Sequence, residues 1–377
     1  MSIQVRPIST ATMNAYIDEH GAGSFLQTPG WSNAKPGWSS ETVGFYDGDQ
    51  LTGVALLLMR KVPYLKRYFV YAPKGPVLDW SRSDVPNHLA ALADYAKRKG
   101  AFALRIGPAI DHREWVSATV KKAVADDDTT LLTELEPEFT STAADRLKQT
   151  LEAQAWKYDE SAAGEDFPRG QAQFNYILPL RHRDGTPKTE DEVLKGMNQQ
   201  WRRNIRKADK AGVTVREGTH DDLKLFHDMY LETTERDGFT ARAYEYFDRI
   251  WEGLNGDKHG RMRVYVAEHE GTPVAAALYL IVGDYASYAW GASTTAKREV
   301  RGSNGMQWHM IQTALNEGAA RYDLGGIAQG VRSDHPAIGL IHFKAGTGGH
   351  AIANLGEWDK VFNKPLYRLF NAYLNRG

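Results

Sequence analysis

The chain has 377 residues, of which 42% are hydrophobic and 25% are charged, and its formal net charge is −1 at pH 7. A chain of this length usually divides into two domains, and this composition excludes disordered and fibrous classes. The balanced charge excludes a protein that binds polyanions through its overall charge. The absence of cysteine excludes disulfides, thiolate metal sites and cysteine nucleophiles.

The N-terminal residues lack the basic and then apolar run that is typical of a signal peptide. Apolar runs such as Val54 to Met59 are far shorter than the roughly 20 residues that cross a bilayer. We therefore expect a cytoplasmic protein without a transmembrane segment, whose contact with a membrane would be peripheral, at the inner face.

The first half of the chain alternates between strand and helix patterns. The segment 43–58 predicts a hairpin, because Asp47-Gly48-Asp49 separates two apolar runs. Gly100 follows a helical pattern at the position where helices commonly end. The predicted elements are a strand, a helix, a hairpin, a strand, a helix and a strand, over residues 1–7, 9–20, 43–58, 69–79, 84–99 and 101–106.

The second half repeats this plan with a hairpin, a strand, a helix and a strand, over residues 264–282, 285–291, 304–317 and 321–324. Two copies of one α/β unit explain the repeat most simply. This order of elements resembles the core of the GCN5-related acetyltransferase fold. We therefore expect an α/β protein with two acetyltransferase-like domains in tandem, whose mixed sheets are flanked by helices. The expected ranges are 1–165, 166–350 and a C-terminal segment 351–377 that packs back on the first domain.

Further elements are predicted between the two copies. Thr189 and Glu192 form a capping-box pattern that begins a helix expected to continue to Ala211. Arg242 and Tyr246 stand four residues apart at the expected start of another helix, and hence on one face. The remaining predicted elements are a helix, a strand, a strand and a helix, over residues 141–153, 174–180, 213–216 and 221–236.

The segment from Lys195 to Lys210 carries six cationic residues and one acidic residue. Its apolar residues fall on one helical stripe, so the cations spread over the other faces. Such a helix favours contact with phosphates, and the alternative is an ordinary solvated face. The candidate phosphate-binding residues are Arg202, Arg203, Arg206, Lys207 and Lys210.

A second candidate site surrounds the run from Tyr322 to Ile327, in which Gly325-Gly326 directly follows a short apolar strand. Two glycines there allow close approach of a backbone or a ligand, as at the crevice of an open α/β sheet. Lys344 lies about twenty residues later among apolar neighbours, so its ammonium could project into that crevice. The alternative is a solvated lysine at a helix end.

Two further cationic residues have neighbours that could hold them in place. Lys35 lies between Trp31 and Trp38, and the alternative is a stacked surface lysine. Arg242, with a phenol beside it and a helix N-terminus behind, could clamp an oxyanion or a phosphate. The alternative is an ion pair with Glu245 or Glu252.

Several of these runs, in their order, resemble the FemABX peptidoglycan-bridge peptidyltransferases. The resemblance covers nearly the whole chain. The runs that carry it are Gln27-(x)3-Trp31-(x)3-Lys35, Lys74-Gly75-Pro76-Val77-Leu78-Asp79, Asn204-Ile205-Arg206-Lys207-Ala208, Arg236-Asp237-Gly238-Phe239 with Arg242 and Tyr246-Phe247, Tyr322 to Ile327, Phe343-Lys344 and Gly356-Glu357.

The resemblance implies an aminoacyl-tRNA donor and, as acceptor, the stem-peptide amine of a UDP-linked or lipid-linked peptidoglycan precursor. It implies no cofactor and no metal. By position, Lys344 matches a lysine at the acyl transfer, and a fixed ammonium there can stabilise the developing oxyanion. The residues implied to bind substrate are Lys35 and Arg242 at the precursor's diphosphate, Asp79, Tyr246 and Trp290 in the same cleft, and Glu357 nearby.

Three positions depart from the family's pattern. Phe102 and Trp290 stand where a similar family member without a coiled-coil arm has tyrosine, and Gly107 stands where it has aspartate. One rival interpretation is an acetyl-CoA-dependent N-acetyltransferase, although residues 298–305 lack the glycine spacing that would hold a pyrophosphate. Another is an inactive protein that binds tRNA or the precursor.

Overall fold

The computed structural model describes residues 3–21, 23–126, 128–160, 170–256 and 259–374. The first two residues of the predicted N-terminal strand lie outside these ranges. The predicted domain boundary between residues 165 and 166 also lies outside them.

The strands are, in chain order, β1 Gln4–Pro7, β2 Ser39–Asp47, β3 Gln50–Lys61, β4 Tyr68–Ala72, β5 Val77–Leu78, β6 Ala101–Ile106, β7 Asp111–Val116, β8 Phe139–Thr140, β9 Lys157–Tyr158, β10 Phe174–Pro179, β11 Thr214–Glu217, β12 Met262–His269, β13 Thr272–Val282, β14 Tyr285–Ser293, β15 Arg321–Gly326, β16 His350–Asn354 and β17 Trp358–Val361. The apolar runs that predicted the two hairpins form β3 and β13, which are buried along most of their length.

The α-helices are α1 Thr10–His20, α2 Val85–Arg98, α3 Ser117–Val124, α4 Thr142–Ala153, α5 Glu190–Gly196, α6 Gln199–Lys210, α7 Asp222–Asp237, α8 Tyr244–Asn255, α9 Gly302–Asn316, α10 Ile338–Ala345 and α11 Lys364–Leu374. Short 3₁₀ helices span Phe25–Gln27, Pro29–Ala34, Leu132–Glu134 and Arg298–Val300. Side chains cap several helices: Ser9 accepts from the Thr12 amide at 3.0 Å at the start of α1, which satisfies a backbone donor that the helix leaves unpaired.

The chain divides into two compact units. Unit 1 comprises residues 1–114, 137–174 and 352–377, and unit 2 comprises residues 115–136 and 175–351. Each unit contains one copy of the predicted repeat, which is β2-β3-β4-α2-β6 in unit 1 and β12-β13-β14-α9-β15 in unit 2. In both copies the last two strands are parallel, because the intervening helix returns the chain to the same end of the sheet.

Unit 1 is built on a sheet in the order β1-β2-β3-β4-β6-β17-β9, with β5 paired to β3. Its core packs buried side chains of β2 and β3 against α2, for example Phe45 and Leu57 with Leu89 and Leu92. The C-terminal segment adds β17 antiparallel to β6. It also adds α11, whose Phe370 ring stacks on Phe69 with 4.6 Å between the ring centroids.

Unit 2 carries the strand order β11-β12-β13-β14-β15-β10. Helix α9 contacts β12 and β13, and α7 contacts β14. Residues 115–136 belong to this unit although they fall within the range predicted for the first domain. The contacts explain the difference: the Ser117 hydroxyl donates to the Ala345 carbonyl at 2.7 Å, and Leu131 forms a β-bridge with Gly330.

The predicted helix over residues 189–211 is wrong in one respect, because the structure has two helices there. The capping box of Thr189 and Glu192 begins α5 as predicted. Helix α5 then ends at Gly196, Met197 is extended, and the Asn198 side chain accepts from the Trp201 amide at 2.8 Å to begin α6. An asparagine in this position favours a new helix start over a continuous helix.

Candidate active site

The pairing between β14 and β15 ends before either strand ends. Their pairing stops at Ser287 and Asp323, yet β14 continues to Ser293 and β15 to Gly326. In unit 1 the corresponding pair, β4 and β6, stays matched until both strands end at Ala72 and Ile106. Unit 2 therefore contains the kind of opening in which an α/β sheet binds ligands at strand ends.

The glycine turn lies at the end of β15, beside this opening. Gly325 has φ of 86°, a left-handed conformation that residues with a side chain adopt only at a cost. Its amide donates to the Asp323 carboxylate at 2.7 Å. A Cβ atom at Gly325 would lie 3.6 Å from the Lys344 Nζ atom. The turn thus brings the backbone close to that lysine, which is the use expected of these glycines.

Lys344 lies in the last turn of α10, and its side chain is only 4% exposed. The alternative of a solvated lysine is therefore wrong. The Lys344 Nζ atom donates to the Gly326 carbonyl oxygen at 2.8 Å. Burial lowers the pKa of the ammonium to about 8, although Asp323 favours the charged form. A cation that is costly to bury and fixed at a strand opening is typical of functional sites.

The backbone around Lys344 is held from two sides. The Trp201 indole of α6 donates to the Phe343 carbonyl at 2.8 Å, and Ser117 donates to the next carbonyl but one, that of Ala345. A Cβ atom at Gly346 would lie 2.2 Å from the Trp201 ring, so the glycine permits this close approach. Sequence reasoning selected neither Trp201 nor Ser117 as a site residue, since neither contact has a local sequence signal.

A cationic groove of about 240 Å³ lies at the N-terminus of α9. Lys297, Arg298 and Arg301 line it, together with Asn204 of α6 and Phe343, the neighbour of Lys344. Arg301, the N-cap residue of α9, has φ of 61°. The Lys297 ammonium is paired with the Glu270 carboxylate at 3.1 Å. The groove therefore presents mainly the two guanidinium groups beside a helix N-terminus, an arrangement suited to phosphate.

The basic helix α6 packs by its predicted apolar stripe, because Trp201 and Ala208 are buried. Arg202 is engaged: its guanidinium donates to the carbonyls of Lys195 and Met197 at the end of α5. The other predicted cations are exposed and make no ion pair within the part of the chain that the structure describes. They are Arg203, Arg206, Lys207 and Lys210.

Arg242, Tyr246 and Trp290 come together in unit 2. Arg242 precedes α8 and does not lie within it, since Ala243 is the N-cap. Its guanidinium carbon lies 4.6 Å from the Tyr246 ring centroid, and Trp290 packs edge-on to the same ring at 6.0 Å. Among the described residues Arg242 forms no ion pair, so pairing with either candidate glutamate is not observed. Burial raises the pKa of the Tyr246 phenol.

Lys35 and Asp79 belong to unit 1. The segment before Lys35 is a 3₁₀ helix that ends at Ala34, and the Lys35 ammonium lies 5.9 Å from the Trp31 ring centroid. Asp79 is exposed and accepts hydrogen bonds from the amide and hydroxyl of Ser81 at 3.0 and 2.6 Å. These bonds lower the pKa of the Asp79 carboxyl.

Gln27 explains why two of the motifs in unit 1 occur together. Its fully buried amide accepts from the Leu56 amide at 3.0 Å and donates to the Pro73 carbonyl at 2.8 Å. A Cβ atom at Gly75 would lie 2.3 Å from this amide. The glutamine of one motif therefore needs the glycine of the other, and both hold the loop that leads to Asp79.

Glu357 is 5% exposed and lies in a buried cluster of unit 1. It accepts from the Tyr71 hydroxyl and lies 3.4 Å from the Arg105 guanidinium. Burial raises the pKa of the carboxyl, although Arg105 and Tyr71 favour its charged form. A Cβ atom at Gly107 would lie 3.7 Å from a Glu357 oxygen. Glu357 therefore lies next to Gly107, which is one of the three positions that depart from the family pattern.

The predicted site residues are thus divided between the units. Unit 2 holds Lys344, the cluster of Arg242, Tyr246 and Trp290, and the cations of α6, and unit 1 holds Lys35, Asp79 and Glu357. Phe102, another departure, is buried against Phe69 and Phe370. Within the described residues, no group of three or more His, Asp or Glu side chains is arranged to hold a metal ion, and no helix has the length and apolar character that crossing a bilayer requires.

Two α/β units, one of which opens its parallel strands beside a buried lysine, define a protein of the tandem acetyltransferase-like class. An acetyltransferase (GNAT) domain model matches residues 195–335, and the FemAB family model matches residues 8–260. The chain belongs to the FemAB family and is an aminoacyltransferase. The predicted family and the predicted tandem fold are both confirmed.

Relatives and solved structures agree over nearly the whole chain. The lipid II:glycine glycyltransferases of Staphylococcus aureus (strain USA300) and Staphylococcus epidermidis (strain ATCC 35984) are 25% and 24% identical, and each match covers 96% of this chain and 94% of the relative. The crystal structure of FemX shares the fold with a TM-score of 0.80 and 24% identity, covering 97% of this chain and 99% of FemX. L-PGS from Bacillus licheniformis is more distant, with a TM-score of 0.52, 11% identity and 98% coverage of both chains.

Proposed function

We propose that this aminoacyltransferase transfers an amino acid from aminoacyl-tRNA to the stem-peptide amine of a lipid-linked peptidoglycan precursor, which forms an interpeptide bridge. The observation that carries the proposal is the buried Lys344 ammonium at the end of β15, where β14 and β15 are no longer paired. Its neighbour Phe343 lines the cationic groove. The names of the relatives, which act on lipid II, support the lipid-linked acceptor over a UDP-linked one. The proposed location is the cytoplasmic side of the inner membrane.

The proposed reaction is an aminolysis. The acceptor amine attacks the ester carbonyl of the aminoacyl-tRNA, a C–N bond forms, and the C–O bond to the ribose breaks. The proton lost by the amine ends on the ribose hydroxyl that leaves. Lys344 stabilises the oxyanion of the tetrahedral intermediate, because a preorganised cation in a water-poor site is worth far more than one in water. With a pKa of about 8, the lysine is mostly protonated near pH 7.

Two cationic features support a polynucleotide donor. The groove at α9 suits the phosphates nearest the acyl group, and it meets α6 at Asn204. The exposed Arg203, Arg206 and Lys207 extend this cationic surface along α6, further than one diphosphate requires. An acyl-CoA donor would need the groove alone, so the extended surface favours tRNA.

Arg242 is the best supported acceptor residue. Its guanidinium is exposed, is stacked on Tyr246 and has no carboxylate partner among the described residues. A guanidinium in this state can bind a diphosphate through two parallel hydrogen bonds. Lys35, Asp79, Trp290 and Glu357 are proposed at the acceptor on the strength of the family resemblance.

The experiment is transfer of radiolabelled Gly, Ala and Ser from charged tRNA to lipid-linked precursor and, separately, to UDP-linked pentapeptide. Wild type is compared with Lys344→Met and with the matched control Lys188→Met. Lys188 is a half-buried lysine of unit 2 that also donates to a backbone carbonyl, that of Pro179 at 3.1 Å. We expect transfer to lipid-linked precursor, a loss of at least about 100-fold in Lys344→Met, and near-normal rates in the control.

Two outcomes would overturn the proposal. If neither acceptor reacts with any charged tRNA while acetyl-CoA acylates an amine, the donor is wrong. If Lys344→Met and Lys188→Met are equally active, the lysine at the strand opening is not catalytic. Transfer to the UDP-linked pentapeptide alone would change the acceptor and leave the donor intact.

The role of α6 is tested separately by binding of uncharged tRNA. Arg203→Glu with Lys207→Glu should weaken binding at least about tenfold and flatten its dependence on salt, because each lost phosphate contact removes one released counterion. The matched control reverses two exposed lysines elsewhere, Lys122→Glu with Lys148→Glu. If the two double variants bind tRNA equally well, α6 is not part of the surface that binds tRNA.

A further inference from the structure

A β-hairpin in unit 1 ends in a tip that combines basic and apolar residues. The tip joins β3 to β4 and reads, from Arg60, Arg-Lys-Val-Pro-Tyr-Leu-Lys-Arg. Two backbone hydrogen bonds close it, from the Val62 amide to the Arg67 carbonyl at 2.9 Å and from the Leu65 amide to the Val62 carbonyl at 3.2 Å. The tip is therefore an ordered turn with a defined outer surface.

The outermost side chains of the tip are apolar. Tyr64 is fully exposed at 104%, and Leu65 is 45% exposed. Tyr64 also has φ of 63°, a left-handed conformation that is unfavourable for an aromatic residue. Packing within unit 1 does not offset this backbone strain, since the fully exposed Tyr64 ring buries no surface there.

The C-terminal helix α11 continues the same surface. Its inner side packs on the sheet through Phe370, while Leu369 on its outer side is 67% exposed. A groove of about 520 Å³ runs between the two elements, lined by Val62 and Pro63 of the tip and by Leu366, Leu369 and Phe370 of α11. The hairpin tip and α11 thus present one apolar surface.

Basic residues surround this apolar surface. The tip carries Arg60, Lys61, Lys66 and Arg67, and the described part of α11 carries Lys364 and Arg368. Neither segment contains an aspartate or a glutamate. An apolar centre with a purely cationic border is complementary to an anionic lipid surface, in which acyl chains lie beneath negative headgroups.

We propose that this basic-apolar surface docks unit 1 on an anionic phospholipid bilayer. Tyr64, Leu65 and Leu369 enter the boundary between headgroups and acyl chains, and the cations contact lipid phosphates. RNA would also attract the cations, but the exposed leucines and the apolar groove offer nothing to a phosphate backbone. The inference extends the proposed function, because a lipid-linked acceptor lies in a bilayer, yet it depends on surface chemistry alone.

The test is co-sedimentation of the full chain with vesicles of pure phosphatidylcholine or of phosphatidylcholine with about a third phosphatidylglycerol. The variants are Tyr64→Asn with Leu65→Ser, and Lys66→Glu with Arg67→Glu. Asparagine tolerates the left-handed conformation at position 64, so the first pair keeps the turn. The matched controls are Leu231→Ser, an exposed leucine of unit 2, and Lys122→Glu with Lys148→Glu.

We expect wild type to bind the anionic vesicles at least about tenfold more tightly than the neutral ones, and each hairpin variant to lose about tenfold or more. The controls should bind as wild type does. Equal binding by all variants, or no preference for anionic vesicles, would overturn the proposal. So would hairpin variants that bind vesicles normally but lose tRNA binding or self-association, which would assign the surface to RNA or to a second copy of the chain.

The measurement uses no donor and no acceptor, so its result is independent of the proposed reaction. Lys344→Met should bind vesicles as wild type does. Conversely, the hairpin variants should keep their rate with a water-soluble acceptor and lose rate only when the acceptor is presented in vesicles. A docking failure and a failure of the proposed transfer are therefore distinguishable.

Discussion

The Nζ atom of Lys344 donates a hydrogen bond to the carbonyl oxygen of Gly326 over 2.8 Å. This bond joins the last turn of α10 to the glycine turn at the end of β15. An ammonium has three N–H donors, and the described residues accept one of them. The bond therefore fixes the position of the charge and leaves two of its donors without an acceptor among the described residues.

Lys344→Met is expected to lower the rate of transfer at least about 100-fold and to stabilise the protein. The buried charge lowers the lysine pKa from its usual 10.5 to about 8, which corresponds to about 3 kcal/mol of lost stability. Loss of the bond to Gly326 offsets roughly 1 kcal/mol of the gain. We therefore expect the free energy of unfolding at pH 7 to rise by about 1–3 kcal/mol, measured by urea denaturation.

The sign of the pH dependence checks this account. Between pH 8 and 10.5 the native wild type loses its buried charge while the unfolded chain retains it, so wild-type stability rises. The advantage of Lys344→Met should therefore shrink over that interval. A variant that is less stable than wild type at every pH would contradict the account.

The rate of transfer should fall as pH rises through about 8, if the Lys344 ammonium stabilises the oxyanion. Lys344→Arg keeps its charge throughout this range. The acceptor amine titrates in the same way for both enzymes, so its effect cancels when the wild-type single-turnover rate is divided by the Lys344→Arg rate. This ratio should decline above pH 8. A ratio that rises through pH 8 would instead assign the lysine as a general base.

Gly325→Ala separates backbone strain from damage at Lys344. Gly325 and Gly318 both have positive φ, 86° and 75°, so alanine at either position should cost about 1 kcal/mol of stability. A Cβ atom at Gly318 meets nothing within 4 Å, whereas one at Gly325 lies 3.6 Å from the Lys344 Nζ atom. We expect equal losses of melting temperature, and a loss of activity of about tenfold or more only in Gly325→Ala.

Equal activity in the two alanine variants would mean that the space beside Lys344 is not used in the reaction. A much larger stability loss in Gly325→Ala would mean that its amide bond to Asp323 matters more than the backbone conformation. Melting temperatures and initial rates of the same two preparations decide between these results.

The features that sequence reasoning predicted well are those with a local cause. The hairpins at β2-β3 and β12-β13 follow from apolar runs around a turn, and the start of α5 follows from the Thr189 and Glu192 capping box. The burial of Lys344 was expected because a glycine pair and a lone lysine stand in apolar surroundings. In each case the residues that cause the structure are close together in the chain.

The features that were missed depend on contacts between distant residues. The Trp201 indole bond to Phe343 joins residues 142 positions apart, and Ser117 lies 228 positions from Ala345. The break between α5 and α6 was missed for a different reason, since the cap at Asn198 competes with an otherwise continuous helical pattern. Neither kind of feature is visible as periodicity in one sequence.

Arg242→Ala should raise the KM for the acceptor at least about tenfold, with little change in melting temperature. The guanidinium is exposed and stacked on Tyr246, so its removal leaves no buried charge unpaired, while a diphosphate loses a bidentate partner. Arg146→Ala, at another exposed arginine, is the control. An unchanged KM in steady-state measurements with varied acceptor would remove Arg242 from the acceptor site.

Neutralising Arg105 should cost far more stability than neutralising Glu357. Arg105 lies 2.7 Å from Asp359 and 2.8 Å from Asp159, besides its contact with Glu357. Arg105→Gln leaves these carboxylates without their cation and should cost about 3–5 kcal/mol. The cluster holds three carboxylates and one guanidinium, and Glu357→Gln removes one of the excess negative charges. The glutamine keeps an oxygen that can accept from the Tyr71 hydroxyl, so the loss of stability should be small.

The pH dependence of Glu357→Gln tests whether burial of the carboxylate is the cause. Burial raises the pKa of Glu357, so the wild type is stabilised by the bound proton at low pH and loses that stability as pH rises through the raised pKa. The stability of Glu357→Gln relative to wild type should therefore increase with pH, measured by urea denaturation from pH 4 to 8. A difference that decreases with pH would mean that Arg105 and Tyr71 stabilise the carboxylate more than burial destabilises it.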